Sequence, residues 1–418
     1  MKSIAPGPSE PLRFGQVQRA RNSLAAIALA MCMSWPSVIV AQDMRDSAGV
    51  RIVHYGRSAR PRAQWSLTLR PILEISGGDN PLTEFNDVRG VAVLSDGRVA
   101  VANGGSNEIR VFGRSGSLQV TLGRAGNGPR EFTRLLRLIR WGDTLGGIDG
   151  DGRAQVFDPS GAFVRSLRQV RSAAIEGPLR IGPATAGSTY VVATEVVRPQ
   201  QRHGGNIRRL LAKSDALGDS IVPLVSFLGA LSAGSELHSP RLLLDAEGLA
   251  VAWGERSCTA FSAHLAITCY ESNGRPRLRL TRETTSREIS EEDRSRVRRA
   301  YLAANADAPP AIRAQMERAA LEFRFASRAP SMGRLVLGTS GDLWVGPFDA
   351  GVGLPGPVAL SAPTTMQTWS IFGTTGEWVA DLLLPRRFIA YEVGRDYVAG
   401  VTVDDDDLER VTVWGIRR

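Results

Sequence analysis

Six arginines stand at similar distances ahead of turn glycines, and they are the residues of this 418-residue sequence best suited to chemistry. Arg180, Arg241, Arg334 and Arg387 each lie seven residues before a glycine, at Gly187, Gly248, Gly341 and Gly394. Arg89 lies eight before Gly97, and Arg137 five before Gly142. A guanidinium is permanently charged, and its planar fork of donors matches carboxylate, phosphate or sulfate oxygens two at a time. If the six converge, they make an anion-binding mouth. The competing account is that each arginine pairs with acids of a neighbouring element, since about one residue in eight is Arg.

Other chemistry is weakly signalled. The sequence has no His-Glu-x-x-His, no Gly-x-Ser-x-Gly and no Walker lysine. Gly351-Val-Gly353-Leu-Pro-Gly356 fits a dinucleotide pattern by letters, but Pro355 and Pro357 oppose the helix such a site needs, so it reads as a loop. Asp149-Gly-Asp151-Gly152 resembles the start of a calcium loop, with Arg153 where a third ligand belongs; a hairpin turn is the better reading. The four histidines, His54, His203, His238 and His264, lack metal-ligand spacing. No residue is assigned a catalytic or metal-binding role, and no cofactor is expected beyond a possible calcium ion. Its candidate oxygens are Glu84, Asn86, Asp87 and Glu131.

The elements that would position the arginines are short repeated strands. A strand ending in an aromatic and a small residue, followed by a turn glycine, recurs at Val111-Phe112-Gly113, Val156-Phe157-Asp158, Thr268-Cys269-Tyr270, Ile371-Phe372-Gly373 and Val413-Trp414-Gly415. A degenerate copy lies at Leu211-Ala212. Six copies a few tens of residues apart indicate an all-β, six-bladed β-propeller. Each blade then opens its innermost strand with one of the arginines, at a common mouth of the central channel. The last blade runs out of chain after Trp414, and the orphan strand Gly49–Tyr55 is expected to complete it, closing the ring. Residues 286–327 break the pattern. Ser290 followed by Glu291-Glu-Asp293, and helix formers on both sides of Pro309-Pro310, predict a helical hairpin inserted between blades four and five. Asp404–Asp407 falls in a loop on the face where the arginines start, as a solvated tip, as a holder of a cation or as a salt-bridge partner for the arginine ring.

The link Gly123-Arg-Ala-Gly126-Asn-Gly128-Pro129-Arg-Glu131-Phe132 has a degenerate copy at Gly77–Phe85. It resembles the Gly-Pro-x-Glu-Phe link of NHL-like six-bladed propellers of exported bacterial proteins. The resemblance implies a fold over roughly residues 48–418, and little about function.

Composition bounds the partners. Net charge is +9, yet Lys2 and Lys213 are the only lysines among 51 basic residues, and the arginines are dispersed. A nucleic-acid footprint would cluster, so nucleic acid is not expected as a partner. Lys2, Arg13, Arg19 and Arg21 precede the apolar run Leu24–Met33, and Val40-Ala41-Gln42 offers a cleavage site. Residues 1–41 thus read as a signal peptide, with an uncleaved anchor as the alternative. The mature chain, residues 42–418, is expected in the periplasm or outside the cell, as a monomer with no membrane span. Two cysteines remain there, Cys258 and Cys269. A hairpin centred between Ala263 and His264 would set them face to face as a disulfide.

These readings combine into an exported binding or scaffold module. Its arginine-lined mouth would take an anionic small molecule or an acidic protein segment. The alternative is a metal-dependent hydrolase or lyase of lactonase type, with its site in the central tunnel.

Overall fold

The structure is a computed structural model. It describes residues 42–418 apart from 77–80, 174, 196–205, 216, 231–241, 304–305 and 351–361. Four short strands come first: β1 (Gln42–Ser47), β2 (Val50–Tyr55), β3 (Ala63–Leu67) and β4 (Leu73–Ile75). Antiparallel meanders follow. One comprises β5 (Val88–Val93), β6 (Val99–Asn103), β7 (Glu108–Phe112) and β8 (Leu118–Leu122). The next comprises β9 (Leu135–Trp141), β10 (Thr144–Asp149), β11 (Ala154–Phe157) and β12 (Phe163–Leu167). Then come β13 (Ile175–Pro183), β14 (Thr189–Glu195), β15 (Ile207–Ser214) and β16 (Ile221–Ala230).

The sheet of β17 (Gly248–Trp253), β18 (Arg256–Phe261), β19 (Leu265–Tyr270) and β20 (Pro276–Arg282) continues outward into β2 and β1. Finally β21 (Arg334–Leu337), β22 (Leu343–Gly346), β23 (Gln367–Phe372) and β24 (Trp378–Leu384) join through β3 to β25 (Phe388–Val393), β26 (Tyr397–Val403) and β27 (Glu409–Arg417). The first strand of each meander packs on the first strand of the next. β5 touches β9, β9 touches β13, β13 touches β17, β17 touches β21, β21 touches β25, and β25 returns to β5. Sheets set radially about one axis in this way make an all-β propeller.

The repeated aromatics end third strands. Phe112, Phe157, Tyr270 and Phe372 close β7, β11, β19 and β23. Phe132 of the glycine-rich link is fully buried among Leu94, Leu122, Leu135 and Leu145, and so joins the first meander to the second. A Cβ on Gly123, whose φ is +78°, would come within 2.4 Å of the Phe132 ring. Glycine is therefore required both by the backbone and by the close approach.

Two expectations are corrected. The strand Gly49–Tyr55 does not complete the last meander: β2 instead runs parallel to β20, with Val53 beside Leu280. Val53 and Tyr55 are buried there, and the Tyr55 hydroxyl donates to Gly376 O and accepts from Trp378 N. The missing outer strand is β4, where Ile75 pairs with Val411 and Leu73 with Val413. Ile75 seals a core with Phe85, Phe112 and Val401, which the more polar β2 would fill less well. Second, the innermost strand of the fourth meander is β17, which turns at Gly254. Gly248 begins that strand, so it is not an inner turn glycine, and its spacing from Arg241 loses its meaning.

Cys258 and Cys269 face each other in the β18–β19 ladder and are joined by a disulfide. Replacing both by alanine should lower the unfolding free energy by about 3 kcal/mol, the chain-entropy value for so short a loop. Urea denaturation of the oxidised protein against the variant measures it.

Helices α1 (Glu291–Ala303) and α2 (Pro310–Leu321) lie between β20 and β21 and pack on each other. Ser290 and Asp293 cap α1 reciprocally: Asp293 N donates to Ser290 Oγ at 3.1 Å, and Ser290 N to Asp293 Oδ2 at 2.9 Å. The Arg287 guanidinium, with this cap, holds the Asp293 carboxyl down at about 2. A depressed folded-state pKa stabilises above the unfolded value near 4, and that stabilisation is lost as pH falls through the folded value. Arg287 is half exposed, so the effect should be on the order of 1 kcal/mol. The stability gap between wild type and Asp293→Asn should accordingly be full at pH 5, shrink as pH falls toward 2 and close only below it, as read by denaturant titration.

Candidate functional site in the central channel

A cavity of about 330 Å³ is lined by residues of β5, β9, β13, β17, β21 and β25, the inner strands that touch in cyclic order. Arg89, Arg137 and Arg334 reach it; Arg180 and Arg387 are not among its lining, and Arg241 lies outside the described residues.

Arg180 is 1% exposed and braces two sheets. Its Nη1 donates to Gly152 O at 2.9 Å and its Nη2 to Arg168 O at 2.7 Å, while burial pulls its pKa down to about 10. Register shifts in β13 on both sides of Leu179–Arg180 account for its departure from the lumen. Arg387 precedes β25 with φ of 60°, and its fork turns to the Asp404–Asp407 loop. Its Nη2 lies 2.9 Å from Asp407 Oδ1, and its Nε donates to Val403 O at 2.8 Å. The acidic run therefore neutralises one arginine of its own meander.

The cavity has two layers. In the upper one, Arg89 and Tyr391 sit at register shifts of β5 and β25, where a residue drops out of the ladder and its side chain is re-aimed. Arg89 is paired with Asp87 at 2.7 Å. The Tyr391 hydroxyl donates to Val88 O at 2.6 Å, and burial pushes its pKa up to about 12. Arg334 lies 6.0 Å over the Tyr391 ring and donates to Ala390 O at 2.9 Å. Among the described residues, Arg137 has neither a hydrogen-bond nor an ion-pair partner, and Arg334 has no carboxylate partner. Burial lowers the pKa of both, and the Arg334 charge lowers that of Arg137 further.

The lower layer begins three residues beyond Arg137 on β9 and one residue beyond Tyr391 on β25. Here Arg140 and Glu392 form a double hydrogen-bonded pair at 2.8 and 3.2 Å. Arg140 also donates to Gly142 O and stacks 4.9 Å over Trp253. Glu392 accepts two more bonds, from Val93 N at 3.1 Å and the Tyr397 hydroxyl at 2.6 Å. This layer is satisfied within itself and acts as a floor.

Arg140, Glu392, Trp253 and Tyr391 also line the channel, and the arginine-to-glycine spacing does not point to them. A signal for the pair existed: Arg140 and Glu392 each stand two residues before their turn glycines, Gly142 and Gly394. The seven-residue spacing was a poor ruler because the turns differ in length and the inner strands carry bulges.

Of the candidate calcium ligands, the carboxylates of Asp87 and Glu131 are engaged within the protein. Asp87 holds Arg89, Glu131 accepts from Gly128 N at 2.7 Å and pairs with Arg124, and Asn86 N donates to Asn103 Oδ1 at 2.9 Å. The Glu84 carbonyl accepts from Arg110 at 2.7 Å. Among the described residues no three His, Cys, Asp or Glu side chains are grouped to hold a metal ion. Asp149 closes a turn, accepting from Thr133, Arg134 and Arg153. Gly351–Gly356, His203 and His238 lie outside the described residues. No helix among the described residues is long and apolar enough to cross a membrane.

The chain matches no protein-family model and no curated protein. Among solved structures it is similar to a protein described as exported from Bacteroides fragilis, at 11% identity and a TM-score of 0.46, covering 88% of this chain and 99% of that one. A member of the DUF4221 family from Bacteroides vulgatus is similar at 8% identity and a TM-score of 0.49, over 85% and 99% of the two chains. BamB from Moraxella catarrhalis is similar at 14% identity and a TM-score of 0.31, over 78% and 85%.

Proposed function

We propose that this chain is an exported, NHL-like six-bladed propeller that serves as a binding module, with a small anion held in its central channel by Arg137 and Arg334, beside the Arg89–Asp87 pair. Blades one to three are the meanders starting at β5, β9 and β13, and blade four starts at β17. Blades five and six start at β21 and β25, with the helical pair inserted between blades four and five. The basic stretch and apolar run of residues 1–41, and the disulfide, support export.

The observation that carries the binding reading is the lack of a counter-charge. Two guanidiniums stand in a narrow, partly desolvated channel, while Arg89, Arg140, Arg387 and Arg410 all have carboxylates of their own. Leaving a charge desolvated and unpaired is costly, and such strain is characteristic of sites that await a ligand. The small cavity favours a small molecule over a protein segment.

The test is a thermal-shift panel on residues 42–418 with sulfate, phosphate, anionic sugars and calcium. A ligand that binds only the folded state raises Tm. Wild type should gain about 2–4 °C with at least one anion at saturation, and Arg137→Met should gain nothing. Without ligand, Arg137→Met should melt no lower than wild type, because it removes an unpaired charge. An anion response unchanged in Arg137→Met would remove the channel from consideration, and a response to calcium alone would favour metal-dependent chemistry.

A further inference from the structure

Resting on that reading, we propose that the channel ligand is a tetrahedral dianion of the phosphate-monoester or sulfate class, clamped between Arg137 and Arg334 on opposite walls. In the cyclic order of inner strands, β9 and β21 stand three places apart in either direction, so these two arginines approach the axis from opposing sides. A carboxylate offers both oxygens to one side and serves one guanidinium fork fully. A tetrahedral oxyanion presents oxygen edges in different directions, and two opposed forks can each take a pair.

The charge of the wall agrees with this geometry. Asp87 neutralises Arg89 and Glu392 neutralises Arg140, which leaves two positive charges at Arg137 and Arg334. One dianion balances both, whereas a monoanion leaves one charge desolvated. Tyr391 does not compete for the anion, because its hydroxyl proton is directed to Val88 O. Toward β13 and β17 the wall is Ile181, Gly182, Val251 and Ala252, which offer no charged side chain. The Arg140–Glu392 floor stops deeper entry, so an ester substituent must leave through the upper layer.

The experiment compares sulfate, inorganic phosphate, glycerol 2-phosphate and acetate on residues 42–418 at constant ionic strength, by Tm and by calorimetric titration. At pH 7.5 the three tetrahedral anions should raise Tm by about 2–4 °C at saturation, and acetate should not. Between pH 7.5 and 5.5 a phosphate monoester gains a proton, with its second pKa near 6, so its affinity should fall severalfold while that of sulfate holds. The titratable groups lining the channel beside the clamp are Arg89, Tyr391, Arg140 and Glu392, while Asp87 and Glu409 lie outside the lining and act on Tyr391; sulfate at the same pH controls for any titration among them.

Arg334→Lys keeps the charge and loses the fork; it should weaken sulfate at least tenfold, and Arg137→Met should abolish its binding. Acetate binding as tightly as sulfate would overturn the dianion clamp and leave the anion-binding channel standing. No response to any anion in wild type would overturn both. Sulfate binding untouched by either substitution would place the anion elsewhere and overturn the clamp.

Discussion

Glu392→Gln should cost about 3–5 kcal/mol of folding stability, the scale for breaking a buried ion pair from one side. Glu392 and Arg140 have side chains only 9% and 11% exposed, and their double hydrogen bond spans two meanders. Glutamine keeps an oxygen for Val93 N and the Tyr397 hydroxyl, so shape and local bonds are largely retained. What is lost is the counter-charge, and Arg140 remains with its positive charge against Trp253. The Tyr397 hydroxyl, whose pKa stands above its ordinary value through burial and the adjacent Glu392, does not replace that charge. Urea unfolding measures the cost, and a second variant decides its origin. Arg140→Met combined with Glu392→Gln should recover most of the loss, since no unpaired charge remains. A single-variant cost below about 1 kcal/mol would mean that water reaches the pair and the floor is open.

The second large effect concerns the N-terminal strands. A chain lacking residues 42–83 should fail to accumulate as a soluble monomer. Its removal uncovers the outer edges of β20, β24 and β27, which β2, β3 and β4 cover. It also removes Trp65 and Ile75 from two cores where both are nearly inaccessible. Bare strand edges beside apolar pockets are templates for association. A smaller deletion, residues 42–48, removes only the exposed outermost strand β1 and should melt within a few degrees of wild type. Size-exclusion chromatography of both variants reads the difference. If the larger deletion yields a stable monomer, closure by β3 and β4 is dispensable.

The meanders were legible because each of their signals is local: an aromatic that ends a third strand, a turn glycine, an alternation of apolar residues. The helical pair was legible for the same reason, from Ser290, Asp293 and Pro310. Closure was harder to read, because β2 and β4 are both short strands able to complete a sheet. Only the pocket around Phe85, Phe112 and Val411, assembled from distant segments, selects Ile75. The site lay between these cases. Arg137 and Arg334 were singled out by their distance to a turn glycine, but Arg180 carries the same seven-residue spacing as Arg334 and became a buried brace. Whether an inner-strand arginine points into the lumen depends on bulges in β5, β13 and β25, and a bulge leaves no mark in residue type alone. Asp404–Asp407 shows the converse: its proximity to Arg387 follows from the β26–β27 hairpin, which was readable.

The closing strap also sets the order and pace of folding. Leu67 pairs with Ile416, and Ile75 with Val411, so these contacts join segments about 340 residues apart. Contacts of such long sequence separation bring a large loop-closure entropy to be overcome before they give any return, and chains rich in them fold slowly. During synthesis the strap is made first and finds its partner strand last, after every meander between them is complete. The ring therefore closes last at β27: until that strand is complete, β4 has no partner and the last meander lacks its outer strand. Once shut, the same contacts must all part together before the ends can separate, so a propeller slow to assemble is also slow to come apart.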